Sequence, residues 1–432
     1  MFPAPCDALP LPAHPNLEQY GKLAKELLRV AKSSDASALA AWSKSWVANL
    51  VKLSGLTLMR EMPVRMEWWT TEIVRFTRSA LASGDGKQPT LARAQFVLAR
   101  LHGFASWPNF AKHIDELAHS SSATAQFESA ADAVVAGDAE ALRRLLRETP
   151  TLVHACSTRE HHATLLHYVA ANGVEGYRQR SPKNAVEIAE ILLDAGAEVD
   201  ATAQIYGGDC TALGLAATSV HPERAGVQIP LLRLLLDRGA RIDRPGSAGG
   251  SHSLIQACFA NGRGQAAEFL SHHFHSLDLE EAAGTGNLDA VRSFLNDDGA
   301  MKESASQEQL RQGFLWACQF GRNRVVEFLL SREFDLAAHD HNGQTALHHA
   351  VIGAQLETVK LLVQHGAPLE IKNSYGGTVL GQAVWCALNS GSAKTYLPVI
   401  ELLLESGARA EPEFKDALAG LMRRKPNKAK QS

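Results

Sequence analysis

Histidine and cysteine are the residue types here whose number invites chemistry, with 18 of the first and six of the second. The tightest set is His272-His273-Phe274-His275 with Asp278 close behind. Imidazoles presented by one short loop can ligate Zn²⁺, which takes nitrogen and sulfur donors in a tetrahedral arrangement. No further ligands stand at the usual spacing from this set, so it reads as a polar turn and no metal is expected. Cys6, Cys156, Cys210, Cys258, Cys318 and Cys386 form no Cys-x-x-Cys pair, which suits a reducing compartment. Cys258 and Cys318 fall where small buried residues recur and read as core rather than nucleophile.

Catalytic patterns are absent. The chain has no Gly-x-Ser-x-Gly elbow, no Gly-x-x-x-x-Gly-Lys-[Ser/Thr] phosphate loop and no His-Glu-x-x-His helix. Its acidic residues are spread over polar helix faces rather than paired. Neither an enzyme nor a cofactor is expected. With 43 basic and 46 acidic residues the net charge is −3, which argues against a nucleic-acid-coating protein. The basic run from Arg423 through Lys430 carries no interleaved aromatic residue and reads as a solvated terminus. No segment approaches the roughly 18 apolar residues of a membrane span, and Met1 to Pro5 opens no signal-peptide pattern. A cytoplasmic protein is expected.

Two kinds of segment recur along the chain and must supply the scaffold. One is a Leu-rich run ending in Gly-Ala: Ile191 to Asp200, Leu234 to Asp243, Leu361 to Leu369 and Leu402 to Ala408. The other opens on a hydroxyl residue before an apolar run: Thr164 to Ala170, Thr211 to Ala217, Ser253 to Cys258, Thr345 to Ala350 and Thr378 to Ala383. The hydroxyl is an N-cap, accepting from an orphan amide at a helix start. The glycine supplies the left-handed residue that ends a helix. Each unit is thus a capped helix, a turn, a second helix and a Gly stop. One unit cannot bury its own apolar face, whereas a stack can.

This pattern resembles the ankyrin repeat. The best copy runs from Asp340 through Thr345-Ala346-Leu347-His348 to Gly366-Ala367, and Asn373-Ser-Tyr-Gly-Gly-Thr-Val-Leu follows 33 residues later. Weaker copies lie at Asp132–Leu146, Ser253–Leu270, Leu279–Leu295 and Leu310–Leu330, giving about eight units, some degenerate, over 125–425. Insertions interrupt two units near Gly173–Asn184 and His221–Ile229, and a plain turn is expected at His272–Asp278, where the spacing shrinks to 24 residues. The loop Arg244–Gly250 is expected to be mobile, and Phe414–Met422 to cap the array.

The first 119 residues read as a helical domain, joined to the array by a linker at 120–124 and followed at the far end by a basic tail at 426–432. Helices are expected at Asn16–Lys32, after Asp35 or Ser37, at Ala92–Leu101, and from Ser106-Trp107-Pro108 to about Leu117. The run from Leu91 to Phe110 looks like a small helical module found ahead of bacterial ankyrin arrays, with about 54–89 inserted into it. The resemblance implies a bacterial protein.

The expected fold is all-α, an ankyrin-repeat solenoid of helix-turn-helix units with short hairpin loops behind a helical domain. Resemblance implies that His167 and His348 form structural hydrogen bonds, and that His161-His162 and His339-x-His341 face solvent or a partner. It also implies a protein partner, bound by the preformed concave side through hairpin tips and first-helix ends. Those positions are Arg159, Glu160, His161, Tyr206, Phe320, His341, Asn342, Gln344, Ile352, Ser374, Tyr375 and Trp385. Tyr and Trp are favoured interface anchors. The function expected is a non-catalytic protein-protein interaction module acting as a monomeric array. The alternatives are an enzyme or metal-dependent regulator working through the first domain or His272–His275, and a secreted bacterial effector.

Overall fold

The structure, a computed structural model, describes residues 2–33, 35, 37–54, 62–82, 89–244, 246–250, 252–296, 300–332, 334–389 and 393–423. The basic tail at 426–432 and the 55–61 and 83–88 stretches of the expected insertion lie outside the described residues. The chain forms two compact units, residues 1–266 and 267–432.

The first unit opens with helices α1 (Leu17–Ala31), α2 (Ala38–Leu53), α3 (Met62–Ala82), α4 (Leu91–Leu101) and α5 (Trp107–Leu117). Side chains start three of them: Asn16 accepts from the Glu18 and Gln19 amides, Thr90 from Arg93 and Ser106 from Asn109. Ala24 and Leu27 of α1, Trp46 and Leu50 of α2, Trp69 and Ile73 of α3, and Val97 and Leu98 of α4 are buried in one core. Each large side chain among them contributes about 1.5–3 kcal/mol. Residues 54–89, read as an insertion, thus supply α3 to the centre of this domain. The 120–124 stretch is short and tied down. Ser122 Oγ donates to the Glu116 carbonyl (2.7 Å), Thr124 Oγ1 bonds the Glu116 carboxylate, and the next helix begins at Ala123.

Helix pairs follow. In the first unit these are α6 (Ala123–Ala136) with α7 (Ala139–Glu148) and α8 (Leu165–Ala170) with α9 (Ala185–Asp194). Then come α10 (Ala212–Thr218), the inserted α11 (Val220–Arg224) and α12 (Gln228–Asp237), followed by α13 (Leu254–Ala260) and by α14 (Gly264–Ser271), within which the division falls. First helices pack on first helices and second on second, as α6, α8, α10 and α7, α9, α12 do. Between α9 and α10 the chain forms an antiparallel hairpin of β1 (Thr202–Ile205) and β2 (Gly208–Thr211), with Thr202 opposite Thr211 and Ile205 opposite Gly208. Its tip, Tyr206-Gly207, has positive φ at both residues (53° and 77°), as a two-residue hairpin requires. The Arg244–Gly250 loop, expected to be mobile, is anchored at buried Ser247, whose carbonyl accepts from the Thr211 amide (2.9 Å).

The second unit continues with α15 (Leu279–Thr285) and α16 (Leu288–Ser293), α17 (Gln307–Gln319) and α18 (Asn323–Leu330), and α19 (Ala346–Ile352) and α20 (Leu356–Gln364). It ends with α21 (Val379–Asn389), α22 (Ala393–Glu405) and α23 (Lys415–Arg423). The odd-numbered helices from α15 to α21 form one layer and the even-numbered from α16 to α22 the other. Ala283, Ala317, Ala350 and Ala383 keep the first layer close, while Val326, Leu329, Leu362, Val399 and Leu403 fill the core from the second. The closest approach is at Gly353, where an added Cβ would lie 1.8 Å from the Gln319 carbonyl oxygen.

Candidate protein-interaction site

The loops before α19 and α21 are built alike, from local hydrogen bonds that the sequence encodes. Asp340 Oδ1 accepts from the amides of Asn342 (2.8 Å) and Gln344 (2.9 Å), and Asn373 Oδ1 accepts from those of Tyr375 (3.0 Å) and Gly377 (3.1 Å). Each side chain thereby mimics a turn of backbone. The two tips are joined, since the Ser374 amide donates to the Asn342 carbonyl (2.8 Å). Burial would raise the Asp340 carboxyl, but contact with His349 (Oδ2 to Nε2, 3.2 Å) and the amide bonds prevail and hold it at about 2.

Behind the tips, Thr345 and His348 lock the helix start. The Thr345 amide donates to His348 Nδ1 (3.2 Å), so the ring proton sits on Nε2, which donates to the Gly377 carbonyl of the following loop (3.3 Å). Thr164 and His167 repeat the device, with Nε2 reaching the Cys210 carbonyl (3.2 Å). Burial pushes both histidines down to about 4, so they are neutral structural struts.

This framework brings together His341, Asn342, Gln344, Ser374 and Tyr375 at the tips of the second unit. His341 and Ser374 are exposed, and Tyr375 is 78% exposed. Trp385, on α21, is 52% exposed. Gln344, Tyr375, Gln382, Trp385, Glu413 and Phe414 share the wall of one cavity of about 470 Å³. Glu413 and Phe414 follow the last repeat and carry no repeat signature, so the sequence does not mark them as site residues. Phe320 and Ile352 are half-buried and packed locally. Phe320 stacks on Trp316 (centroids 6.1 Å apart), and the Ile352 carbonyl accepts from Tyr396 Oη (3.0 Å).

In the first unit Tyr206 stands 51% exposed at the hairpin tip, its hydroxyl donating to Asn172 Oδ1 (2.6 Å). Burial of its inner side pushes the phenol up to about 12. Glu160 is exposed and pairs with Arg100. Arg159 and His161, expected at a partner-facing tip, are each only 1% exposed. The cause is the Gly173–Asn184 insertion, which folds back over them. Glu175 from that insertion meets Arg159 Nε (2.9 Å) and His161 Nε2 (3.3 Å), and accepts from Tyr168 Oη (3.2 Å). Arg178 donates to Glu128 Oε2 (2.6 Å) and Asp132 Oδ1 (2.9 Å), while Arg159 donates to Glu128 Oε1 (2.6 Å). Glu128 and Glu175 are therefore buried against arginines rather than spread on polar helix faces, each carboxylate being matched by guanidinium groups. Burial opposes ionisation of Glu128 and Glu175, but the facing guanidiniums prevail, holding Glu128 at about 2 and Glu175 well below its usual range.

His272, His273 and His275 are exposed in the turn between α14 and α15, and no group of three His, Cys, Asp or Glu among the described residues could hold a metal ion. Among the described residues no helix is long and apolar enough to cross a membrane.

A family model described as ankyrin repeats in three copies matches residues 314–416, the span that carries the joined tips. The Danio rerio Notch-regulated ankyrin repeat-containing protein A is 46% identical over 105 residues, covering 22% of this chain and 87% of that protein. The Homo sapiens protein phosphatase 1 regulatory subunit 27 is 31% identical over 101 residues, 23% of this chain and 56% of that protein. The Caenorhabditis elegans ankyrin repeat and KH domain-containing protein mask-1 is 27% identical over 228 residues, 51% of this chain. The chain spans only 8% of the length of that last relative. With repeat-building hydrogen bonds, stacked helix pairs and these similarities in agreement, the chain belongs to the ankyrin-repeat family.

Proposed function

We propose that this protein is a non-catalytic interaction module that binds a protein partner through its loop tips and the adjoining first-helix faces. The observation that carries this is the pairing of rigidity with exposed aromatic surface. The tips at His341–Gln344 and Ser374–Tyr375 are hydrogen-bonded to one another, and they present Tyr375 beside a cavity that Trp385 also lines. A preformed surface loses little ordering entropy on binding, and aromatic anchors of this kind dominate interface energetics. One of the relatives is named as Notch-regulated and another as a phosphatase regulatory subunit, which is in keeping with an interaction role.

The module acts as a single chain in the cytoplasm, a reading supported by six free cysteines. A bacterial source rests on the resemblance of residues 91–110 to the module ahead of bacterial arrays, although the relatives named above are eukaryotic. The experiment is chemical crosslinking in the native cell followed by affinity capture, with the full chain and the triple variant Tyr206→Ala, Tyr375→Ala, Trp385→Ala compared. A partner held by the parent and lost by the variant, at equal helical content, supports the reading. Equal capture by both rejects binding through these three rings.

A further inference from the structure

The cavity beside the joined tips has a composition that selects a ligand. Its wall offers the rings of Tyr375, Trp385 and Phe414, the carboxamides of Gln344 and Gln382, and the carboxylate of Glu413. Glu413 is exposed and is the one charged group among the described residues that line it. A second carboxylate lies just behind the wall. Glu411 is 7% exposed, and its Oε1 accepts from the Thr378 amide (2.7 Å). Its Oε2 is buried with no hydrogen-bond partner among the described residues. Gly381 is what separates this group from the cavity: a Cβ there would lie 2.7 Å and 2.9 Å from the two Glu411 oxygens. The lack of a side chain at 381 leaves room for the carboxylate directly against Gly381, itself a residue of the cavity wall.

We propose that this cavity receives the guanidinium group of an arginine side chain carried by the partner, an inference that rests on the interaction reading above. Aromatic faces attract cations through the ring quadrupole, and arginine is the cation that stacks on them most readily. Its guanidinium is planar and weakly hydrated, so it enters a partly apolar cavity at lower cost than an ammonium. It brings several N–H donors in a fixed fork, matched here by carboxylate and carboxamide oxygens. A neutral apolar side chain would fill the volume but desolvate Glu413 without compensation and leave the already buried Glu411 unanswered. An acidic one would face Glu413, with the Glu411 carboxylate behind the wall.

The test uses the full chain labelled with 5-fluorotryptophan, the Trp385 resonance being identified by its loss in Trp385→Phe. Three peptides are titrated while the ¹⁹F spectrum is followed: acetyl-Gly-Arg-Gly-amide, its lysine counterpart and its citrulline counterpart, the last a neutral isostere of the first. A saturable shift of Trp385 with the arginine peptide is expected, about tenfold or more tighter than with citrulline. Glu413→Gln should remove most of that difference while leaving citrulline binding unchanged. The assignment is overturned if citrulline or lysine binds as tightly as arginine, or if the arginine peptide leaves the Trp385 resonance unmoved. Loss of partner capture in the aromatic triple variant would stand even then, so failure of this assignment and failure of the interaction reading are separable.

Discussion

Arg159 and Glu175, 16 positions apart in a chain that leaves and returns between them, meet at 2.9 Å with both side chains almost wholly out of solvent. Arg159 comes from the tip that precedes α8, and Glu175 from the insertion that follows it. The Arg159 guanidinium also lies over the Phe104 ring at 5.6 Å, so the contact ties the amino-terminal helices to the first repeats within one unit. Buried pairs of this sort are costly to break, since removing one partner strands the other charge.

Glu175→Gln should therefore destabilise the first unit by about 3–5 kcal/mol. The exposed pair of Arg143 with Glu187 (3.3 Å) is the control, and Glu187→Gln should cost less than about 1 kcal/mol. Urea unfolding followed by circular dichroism measures both. Similar midpoints for the two variants would refute a structural role for the buried pair.

Acidification should weaken the fold in two stages. Burial lowers His102 and His113 to about 3 and His167 and His348 to about 4, from an ordinary 6.5. Between those limits the unfolded chain binds more protons than the folded one, so stability falls as pH drops below about 6.5. A second loss sets in below about pH 4.5, where the unfolded carboxylates protonate while Glu128 and Asp340, held at about 2, stay ionised in the folded chain. Urea midpoints at about pH 7.5, 5.5 and 4.5 should decline in that order, and His113→Gln should shallow the first decline. A flat profile down to about pH 5 would contradict the buried, neutral state of these rings.

Substitution of Gly353 by Ala should destabilise the second unit by several kcal/mol, on the order of the overpacking penalty or above, because the new carbon meets the Gln319 carbonyl. Gly420, within α23, has open space for 4 Å around the point where a methyl group would stand. Gly420→Ala should therefore be neutral or stabilising by up to about 1 kcal/mol. Thermal unfolding of the pair decides the matter, the order of the two midpoints being the readout.

Thiol reactivity should be uneven. Cys156 is exposed, while Cys258 and Cys318 are buried and held well above the usual thiol range by burial. Under native, mildly alkaline conditions a neutral alkylating reagent should modify Cys156 rapidly and the other two only after denaturant is added. Mass spectrometry of peptic fragments reads the pattern, and fast native labelling of Cys318 would place it outside the core.

What is local is legible in the sequence. Thr345 and His348 lie three residues apart, so the helix start they build is visible as a short string, and the same holds for Thr164 and His167. Tyr375 and Trp385 stand out because rings are rare in stacked small-residue helices, and both are exposed. Arg159 and His161 defeat a reading by repeat register, because the groups that bury them come from an insertion with no repeat pattern. Glu128 lies 47 positions from Glu175 and 50 from Arg178, and only tertiary contacts bring the three together. Glu413 and Phe414 reach the cavity from beyond the last repeat, where periodicity no longer helps.

Each unit of such an array touches only its neighbours, so a unit can in principle be added or removed without disturbing distant ones. The Glu175 insertion removes that freedom at one end. Arg159 answers to Phe104 ahead of the array, to Glu128 in the first helix pair and to Glu175 behind it. Duplicating or deleting the unit that bears Arg159 would orphan charges on both sides, so this stretch can be lengthened or shortened only as a block.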